Sequence, residues 1–310
     1  MKILCTGGAG YFGSVLVPML LEHNHDVTVV DSFRHGQPSL LQWCYHPRLT
    51  IINHDVRADP TRHLKGMDVI IPLAALVGAP ICDKNPNEAW SINHTEINYL
   101  CRSEARLNQT ILFPMTNSGY SSGGEIECTE NSQLKPISIY GQSKVLAEKA
   151  VLSHPQGISF RFATLFGCSP RMRLDLLVND FTYRAVRDRS LTLFEANFRR
   201  NYLHVRDAAR VFLFAIEHAE SKSMFGQAYN VGLSSANLSK RELCERIAGQ
   251  VPGFVFHEAA VGKDPDQRNY VVSNAKIEAL GFKPWYSIDY GITELIKGYQ
   301  MPLDSVYRNA

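Results

Sequence analysis

Ile3-Leu4-Cys5-Thr6-Gly7-Gly8-Ala9-Gly10-Tyr11-Phe12-Gly13 sets a short β-rich run against a glycine turn that opens a helical pattern. Glycines at positions 7, 10 and 13 permit a tight turn, close approach of the backbone to a pyrophosphate, and close packing of helix on strand. Free N–H groups and a partial positive charge at the helix N-terminus would meet that pyrophosphate, with Tyr11 and Phe12 beside it. Alone, such a triplet is equally a structural turn. Its context is more specific: Asp31 ends the next β-rich run, 18 residues past Gly13, where an acid binds the adenine ribose hydroxyls. A carboxylate there, followed by Ser32, repels a 2′-phosphate and favours NAD over NADP, although Arg34 keeps the phosphorylated cofactor open. Asp55-Val56, after the third run, either meets the adenine or caps the strand end.

Working outward, β-rich runs recur at Ile3–Thr6, Val27–Asp31, Leu49–Asn53, Asp68–Pro72, Thr110–Met115 and Ile158–Ala163. Helix-like spacing separates them at Phe12–His23, Pro86–Arg106 and Ser138–Ser153, and a further helix is placed between Asp31 and Leu49. This alternation predicts an α/β fold, a doubly wound parallel (Rossmann) sheet. After Thr164 the texture changes to Pro, Arg and aromatic residues, with helices expected at Arg206–His218, from the capping residue Ser239 onward, and at Ile288–Tyr299. The expected division is a cofactor domain over 1–164, rejoined by 206–222, and a smaller α/β substrate lobe over 165–205 and 223–310.

Composition narrows the function classes. An apolar fraction of 45% and a charged fraction of 20% over 310 residues exclude intrinsic disorder as the main state. A net charge of +2 makes neither nucleic acid nor an anionic membrane the default partner. Apolar runs such as Val69–Ala75 fall far short of the ~20 residues of a membrane span. The N-terminus runs straight into the glycines, leaving no room for a signal peptide, and seven scattered cysteines include no CxxC pair. A cytoplasmic protein with reduced thiols is expected. The 11 histidines form no HExxH and no ligand spacing with cysteine, so no metal is expected.

Tyr140-Gly141-Gln142-Ser143-Lys144 lies on a predicted helix, with Tyr140 and Lys144 four apart on one face. A tyrosine near its free pKa of ~10 is a poor base at neutral pH; a nearby ammonium would favour the phenolate. Among 13 tyrosines such a pair can arise by chance. Thr116, 24 residues earlier and just past the fifth strand, supplies a hydroxyl to hold a reacting oxygen against Tyr140.

With that third member, the chain resembles the extended short-chain dehydrogenase/reductase family, in its nucleotide-sugar branch. The order is Gly-x2-Gly-x2-Gly, Asp31, Asp55-Val56, Leu73-Ala74-Ala75, Asn93, Thr116, Tyr140/Lys144 and Arg161. The resemblance implies Tyr140 as general acid/base, Lys144 binding the nicotinamide ribose and lowering the Tyr140 pKa, and Thr116 orienting the substrate. It further implies Leu73, Ala74 and Ala75 along the cofactor groove, Asn93 supporting the active-site helix, and a homodimer through the helices of Pro86–Arg106 and Ser138–Ser153. Where the family's 4,6-dehydratases carry Asp-Glu after the threonine, this chain has Asn117 and Ser118, which argues against dehydration and leaves both as substrate contacts.

From Arg161 to Arg210 ten arginines stand against five acids, a local excess of +5. Arg184, Arg187 and Arg189 suit a solvated helix face. Arg199-Arg200-Asn201-Tyr202-Leu203-His204-Val205-Arg206-Asp207 resembles the family's diphosphate-gripping segment, with Arg200 as the match and His204 and Asp207 as supports. Asn179 and Arg268 are implied as further substrate contacts, the latter in Asp264-Pro265-Asp266-Gln267-Arg268. Phe194, Phe198 and Tyr202 flank the base or pack in the core. The stretches Pro72–Pro80, Thr116–Tyr120 and Ser169–Asp175 look like the subgroup that oxidises C4 of GDP-heptoses, which would make Arg171 and Arg173 substrate contacts. The expected activity is NAD-dependent oxidation of a nucleotide-sugar C4 hydroxyl. A 4-epimerase or a 4-keto-sugar reductase uses the same residues, and a non-catalytic NAD-binding sensor is the remaining alternative.

Overall fold

The structure is a computed structural model that describes residues 1–59, 62–102, 108–120, 127–221, 223–259 and 268–301. Strands β1 (Lys2–Thr6), β2 (Asp26–Asp31), β3 (Leu49–Asn53), β4 (Val69–Pro72) and β5 (Thr110–Thr116) alternate with helices α1 (Gly13–Glu22), α2 (Ala79–Lys84), α3 (Pro86–Trp90) and α4 (Glu96–Arg102). A two-residue strand β6 (Glu127–Cys128) and helix α5 (Ile139–Leu152) lead into β7 (Gly157–Phe162) and β8 (Thr164–Phe166). Then come α6 (Leu177–Arg187), β9 (Ser190–Leu193), β10 (Arg199–His204), α7 (Val205–Glu217), β11 (Gln227–Val231), β12 (Asn237–Ser239) and α8 (Lys240–Ala248). The order closes with β13 (Val255–Glu258), β14 (Val271–Val272), α9 (Ala275–Ala279) and α10 (Ile288–Gly298).

Seven parallel strands form one sheet in the order β11-β7-β5-β4-β1-β2-β3. It is an α/β, Rossmann-type sheet whose order reverses between β1 and β4, and the carboxyl ends flanking that point are where open α/β sheets take ligands. Both faces are covered, as a parallel sheet requires. Leu16, Leu20, Ala209 and Phe212, from α1 and α7, bury one face; Ile97, Leu100, Val145 and Val151, from α4 and α5, bury the other. Thr164 leaves the sheet after β7 and starts the second lobe, where β8 pairs parallel with β10, and β10 antiparallel with β12. Met172, Val178, Tyr202, Leu243 and Ile292 build that lobe's core. Ser239 caps α8 in a reciprocal capping box with Glu242.

Three expectations are corrected. Between Asp31 and Leu49 the described structure has one short 3₁₀ turn, Leu41–Trp43, because Phe33 and Gly36 take left-handed φ values of 50° and 65° and Pro38 lacks an amide donor. The single helix expected over Pro86–Arg106 is interrupted by a π turn, Ser91–Thr95, between α3 and α4, and 103–107 lie outside the described residues. Gln227–Val231, expected in the second lobe, is instead the edge strand of the main sheet, with register Tyr229↔Phe160 on β7. Its residues Tyr229 and Val231 are buried in the sheet's core, which no period inside five residues reveals.

Candidate active site

The glycine turn is built for close contact. Gly7 has φ +69°, and a Cβ there would fall 2.5 Å from the amide nitrogen of Ala74; one at Gly13 would fall 2.5 Å from the Gly8 carbonyl oxygen. Only glycine lets α1 sit this tightly on the ends of β1 and β4. Asp31 braces the turn: its carboxylate accepts the amides of Ala9 at 2.9 Å and Phe33 at 2.8 Å. No side chain caps α1, and among the described residues the Tyr11 and Phe12 amides donate to no main-chain carbonyl. An uncapped helix start with open amides fits a pyrophosphate. Partly buried Leu73, Ala74 and Ala75 follow β4, and Ser32 is exposed beyond Asp31. The dinucleotide expected from the sequence thus fits this chain's own residues.

Asp55, just after β3, is bonded to Arg57. Its carboxylate accepts the Arg57 amide at 3.0 Å and the Arg57 Nε at 2.9 Å, and the hydrogen bond from the Arg57 side chain holds its pKa down to about 2. Val56 is buried beside Ile70 and Leu100.

Thr116 ends β5, and Ser138 caps α5 by accepting the Gly141 amide at 3.2 Å. A Cβ at Gly141 would lie 2.8 Å from the Ser118 carbonyl oxygen, so glycine there lets the first turn of α5 close on the Thr116–Ser118 turn. Tyr140 and Thr116 meet by this approach. Thr116 Oγ1 accepts the Ser118 amide at 3.1 Å and donates to Ser118 Oγ at 3.0 Å. Arg268 Nη1 donates to the same Ser118 hydroxyl, bringing the second lobe onto the site; Asp264 to Gln267 lie outside the described residues. Asn117 is 1% exposed, and both atoms of its amide are buried with no hydrogen-bond partner among the described residues.

Burial pushes the Tyr140 phenol up to about 12, opposed by the charges of Arg173 and Arg268 and by hydrogen bonding with Thr116, while Cys82 adds to the rise. Two of the cations acting on Tyr140 are thus arginines, Arg173 and Arg268, which the sequence assigned to the substrate. Lys144 is buried with its ammonium 4.0 Å from the Phe113 ring centre. Burial holds its pKa at about 7, against the carboxylates of Glu96 and Glu148. Asn93, in the π turn, clamps the loop after β4: its amide accepts from Leu76 N and donates to Leu76 O, both at 2.9 Å, and reaches Ser143 Oγ on α5 at 3.3 Å.

Cys82 was absent from the sequence reading. It is fully buried in a cluster that Tyr140 packs against, and nothing in its local sequence, one of seven scattered cysteines, marks it. Asn179 is fully buried, with its amide engaged inside the protein. Its Oδ1 accepts the Gly167 amide at 3.0 Å and its Nδ2 donates to the Arg173 carbonyl at 2.9 Å, so it positions the loop before α6. Arg200 is buried on β10, whereas its neighbour Arg199 is exposed and pairs with Glu242 at 3.3 Å. Tyr202 belongs to the second-lobe core and Phe194 is exposed. His204 and Asp207 serve as supports: His204 Nε2 pairs with Glu294 at 2.9 Å, and Asp207 accepts the amides of Trp285 and Tyr286.

Comparison with known proteins finds similar sequences and a similar fold. The UDP-glucose 4-epimerase of Corynebacterium glutamicum is 26% identical, over 92% of this chain and 91% of its own length. UDP-glucuronic acid decarboxylase 6 of Arabidopsis thaliana is 27% identical, over 98% of this chain and 90% of its own. Among solved structures, UDP-glucuronic acid 4-epimerase from Bacillus cereus, in complex with UDP-glucuronic acid and NAD, superposes with a TM-score of 0.82 at 21% identity, covering 97% of this chain and 99% of that one. A sequence profile matches residues 3–232, and with it the chain belongs to the NAD dependent epimerase/dehydratase family, whose cofactor is NAD.

Proposed function

We propose that this chain oxidises the C4 hydroxyl of a nucleoside-diphosphate sugar and, in the reading its relatives favour, returns the hydrogen to the opposite face as a 4-epimerase. The observation that carries the proposal is the meeting of Thr116 and Tyr140 at the end of β5, under the charges of Arg173 and Arg268. Gly7, Gly10, Gly13, the α1 amides and Asp31 would hold NAD, which when bound supplies the hydride acceptor. Tyr140 takes the C4 hydroxyl proton and gives it back, Thr116 orients that hydroxyl, and Lys144, titrating near neutrality, holds the ribose side. Arg200 and Arg268 bind the substrate diphosphate and so place C4 near the tyrosine. Asn117 and Ser118 carry no carboxylate for dehydration.

Release of the 4-keto sugar is the second reading, a 4-dehydrogenase. The strings Pro72–Pro80, Thr116–Tyr120 and Ser169–Asp175 favour it, with a GDP-heptose as substrate. The test is absorbance at 340 nm with NAD and a panel of UDP-, GDP- and dTDP-sugars that includes a GDP-heptose, with products identified by NMR. An inverted C4 without net absorbance supports the epimerase; lasting NADH with a 4-keto product moves the assignment to a dehydrogenase. Silence with every sugar in both redox directions overturns both. A homodimer through α4 and α5 belongs to the same proposal, since Tyr99 and Leu146 stand exposed on those helices; a monomer by sedimentation would overturn it.

A further inference from the structure

The loop Gly167–Leu176 leaves β8, runs against the glycine turn and returns to α6. It is fastened to the turn at three points. The Tyr11 hydroxyl donates to the Gly167 carbonyl at 2.8 Å, Ser169 Oγ donates to the Tyr11 carbonyl at 2.6 Å, and Ser14 and Ser169 share a hydroxyl bond of 2.9 Å. Met172 and Leu174 anchor the loop in the second-lobe core. Between and before them, Arg171 and Arg173 are 2% and 8% exposed.

Arg173 Nη2 lies 4.0 Å from where a Cβ on Gly78 would stand, and its fork is squared by Asp175, with Nε to Oδ1 at 3.1 Å and Nη2 to Oδ2 at 2.5 Å. Its charge is felt by Tyr11 on the glycine turn and by Tyr140 at the opposite end of the groove. Burial and the neighbouring Arg173 bring Arg171 down to about 10, while Asp175 and Asp31 pull it back. The charge of Arg173 thus reaches both the glycine turn and the active-site tyrosine, and the charges of Arg173 and Asp31 both reach Arg171. Asp175 supplies one carboxylate to two buried guanidiniums, so a further anion beside them is favoured, and the remaining guanidinium donors suit phosphate oxygens.

We propose that Arg171 and Arg173 grip the diphosphate of the bound dinucleotide from the second-lobe side, opposite the α1 N-terminus, so that the cofactor is clamped between the lobes. This reassigns two residues that the sequence attached to the substrate, and it rests on the NAD groove of the proposed function. A clamped cofactor stays through the reaction, as an enzyme that returns its hydride requires.

The test compares ADP-ribose, which carries the diphosphate, with adenosine, which lacks it. Affinities are measured by calorimetry on the intact protein and its Arg171→Met and Arg173→Met variants, alongside NAD content after gel filtration. Each variant should weaken ADP-ribose by about ten- to a hundredfold, leave adenosine unchanged and lose co-purifying NAD. Arg171→Lys, which keeps the charge but not the fork, should lie between; it also serves if Arg171→Met does not fold by circular dichroism. Equal weakening of ADP-ribose and adenosine, or weakening of UDP and GDP alone, overturns the clamp while leaving the proposed function standing. Failure of the unaltered protein to bind either ADP-ribose or NAD overturns both.

Discussion

The glycine turn and the arginine-rich stretch from Arg161 to Arg210 carry their chemistry in opposite ways. In the turn, function is local. Gly7, Gly10 and Gly13 lie within seven residues, and strand, turn and helix follow one another without intervention from the rest of the chain. In the second region, ten residues of one type are sent to separate fates by what packs beside them. Arg161 is buried against Glu148 at 2.8 Å, and Arg171 and Arg173 are buried in the loop before α6, Arg173 pairing with Asp175. Arg184 pairs on the surface with Asp180, and Arg187 lies over Tyr183. Arg206 holds Glu294, and Arg210 stacks on Trp285 at 3.3 Å. A shared charge excess thus says little about any one member; burial and partner decide whether an arginine is structural, ligand-facing or solvated.

The largest effect tests the local chemistry. Tyr140→Phe should lower kcat by about 10²–10⁴-fold with NAD affinity unchanged, read by steady-state kinetics beside cofactor titration. A variant near full activity would separate the helix geometry from catalysis. The next effect is on stability. Arg161→Met leaves Glu148 buried without its 2.8 Å partner and should cost about 3–5 kcal/mol in denaturant unfolding. A cost below 1 kcal/mol would place Arg161 with the solvated group.

Glu294 gives a pH-dependent case. Burial pushes its carboxyl up, but the bonds from His204 and the Cys168 amide, with the charge of Arg206, bring it down to about 2. With the folded value depressed, the contribution is full above the ordinary 4.5 and is lost as pH falls through the interval toward 2. Glu294→Gln should cost about 1.5–3 kcal/mol at pH 7 and progressively less below pH 4.5. A penalty constant across that range would show that the amide replaces the carboxylate's role. Smallest of all, Arg184→Ala removes an exposed pair and should change stability by under ~0.5 kcal/mol. A larger loss would mean that the face of α6 is covered in solution.

Much of the cofactor half was legible because each of its signals is short-range. Six of the seven main-sheet strands are alternating or apolar runs bounded by turns, and Ser138 and Ser239 mark helix starts by hydrogen bonds to amides three residues ahead. What escaped was long-range. Gln227–Val231 joins the sheet through pairing with β7, some seventy residues earlier in the chain. Asn179 has the right residue type for a substrate contact, yet its amide is taken up by Gly167 and Arg173. Cys82 meets Tyr140 only because the loop after β4 folds back under Asn93.

The amino-acid sequence by itself determined the doubly wound class, the dinucleotide turn with Asp31, and the order Thr116, Tyr140, Lys144. Each depends on backbone freedom, periodicity or spacing within a few residues. The tertiary structure alone decided how deeply Lys144 is buried, which arginines are buried and which exposed, and where β11 lies. Those depend on burial and on charges brought together from distant parts of the chain, and desolvation has no counterpart in a linear string of residues.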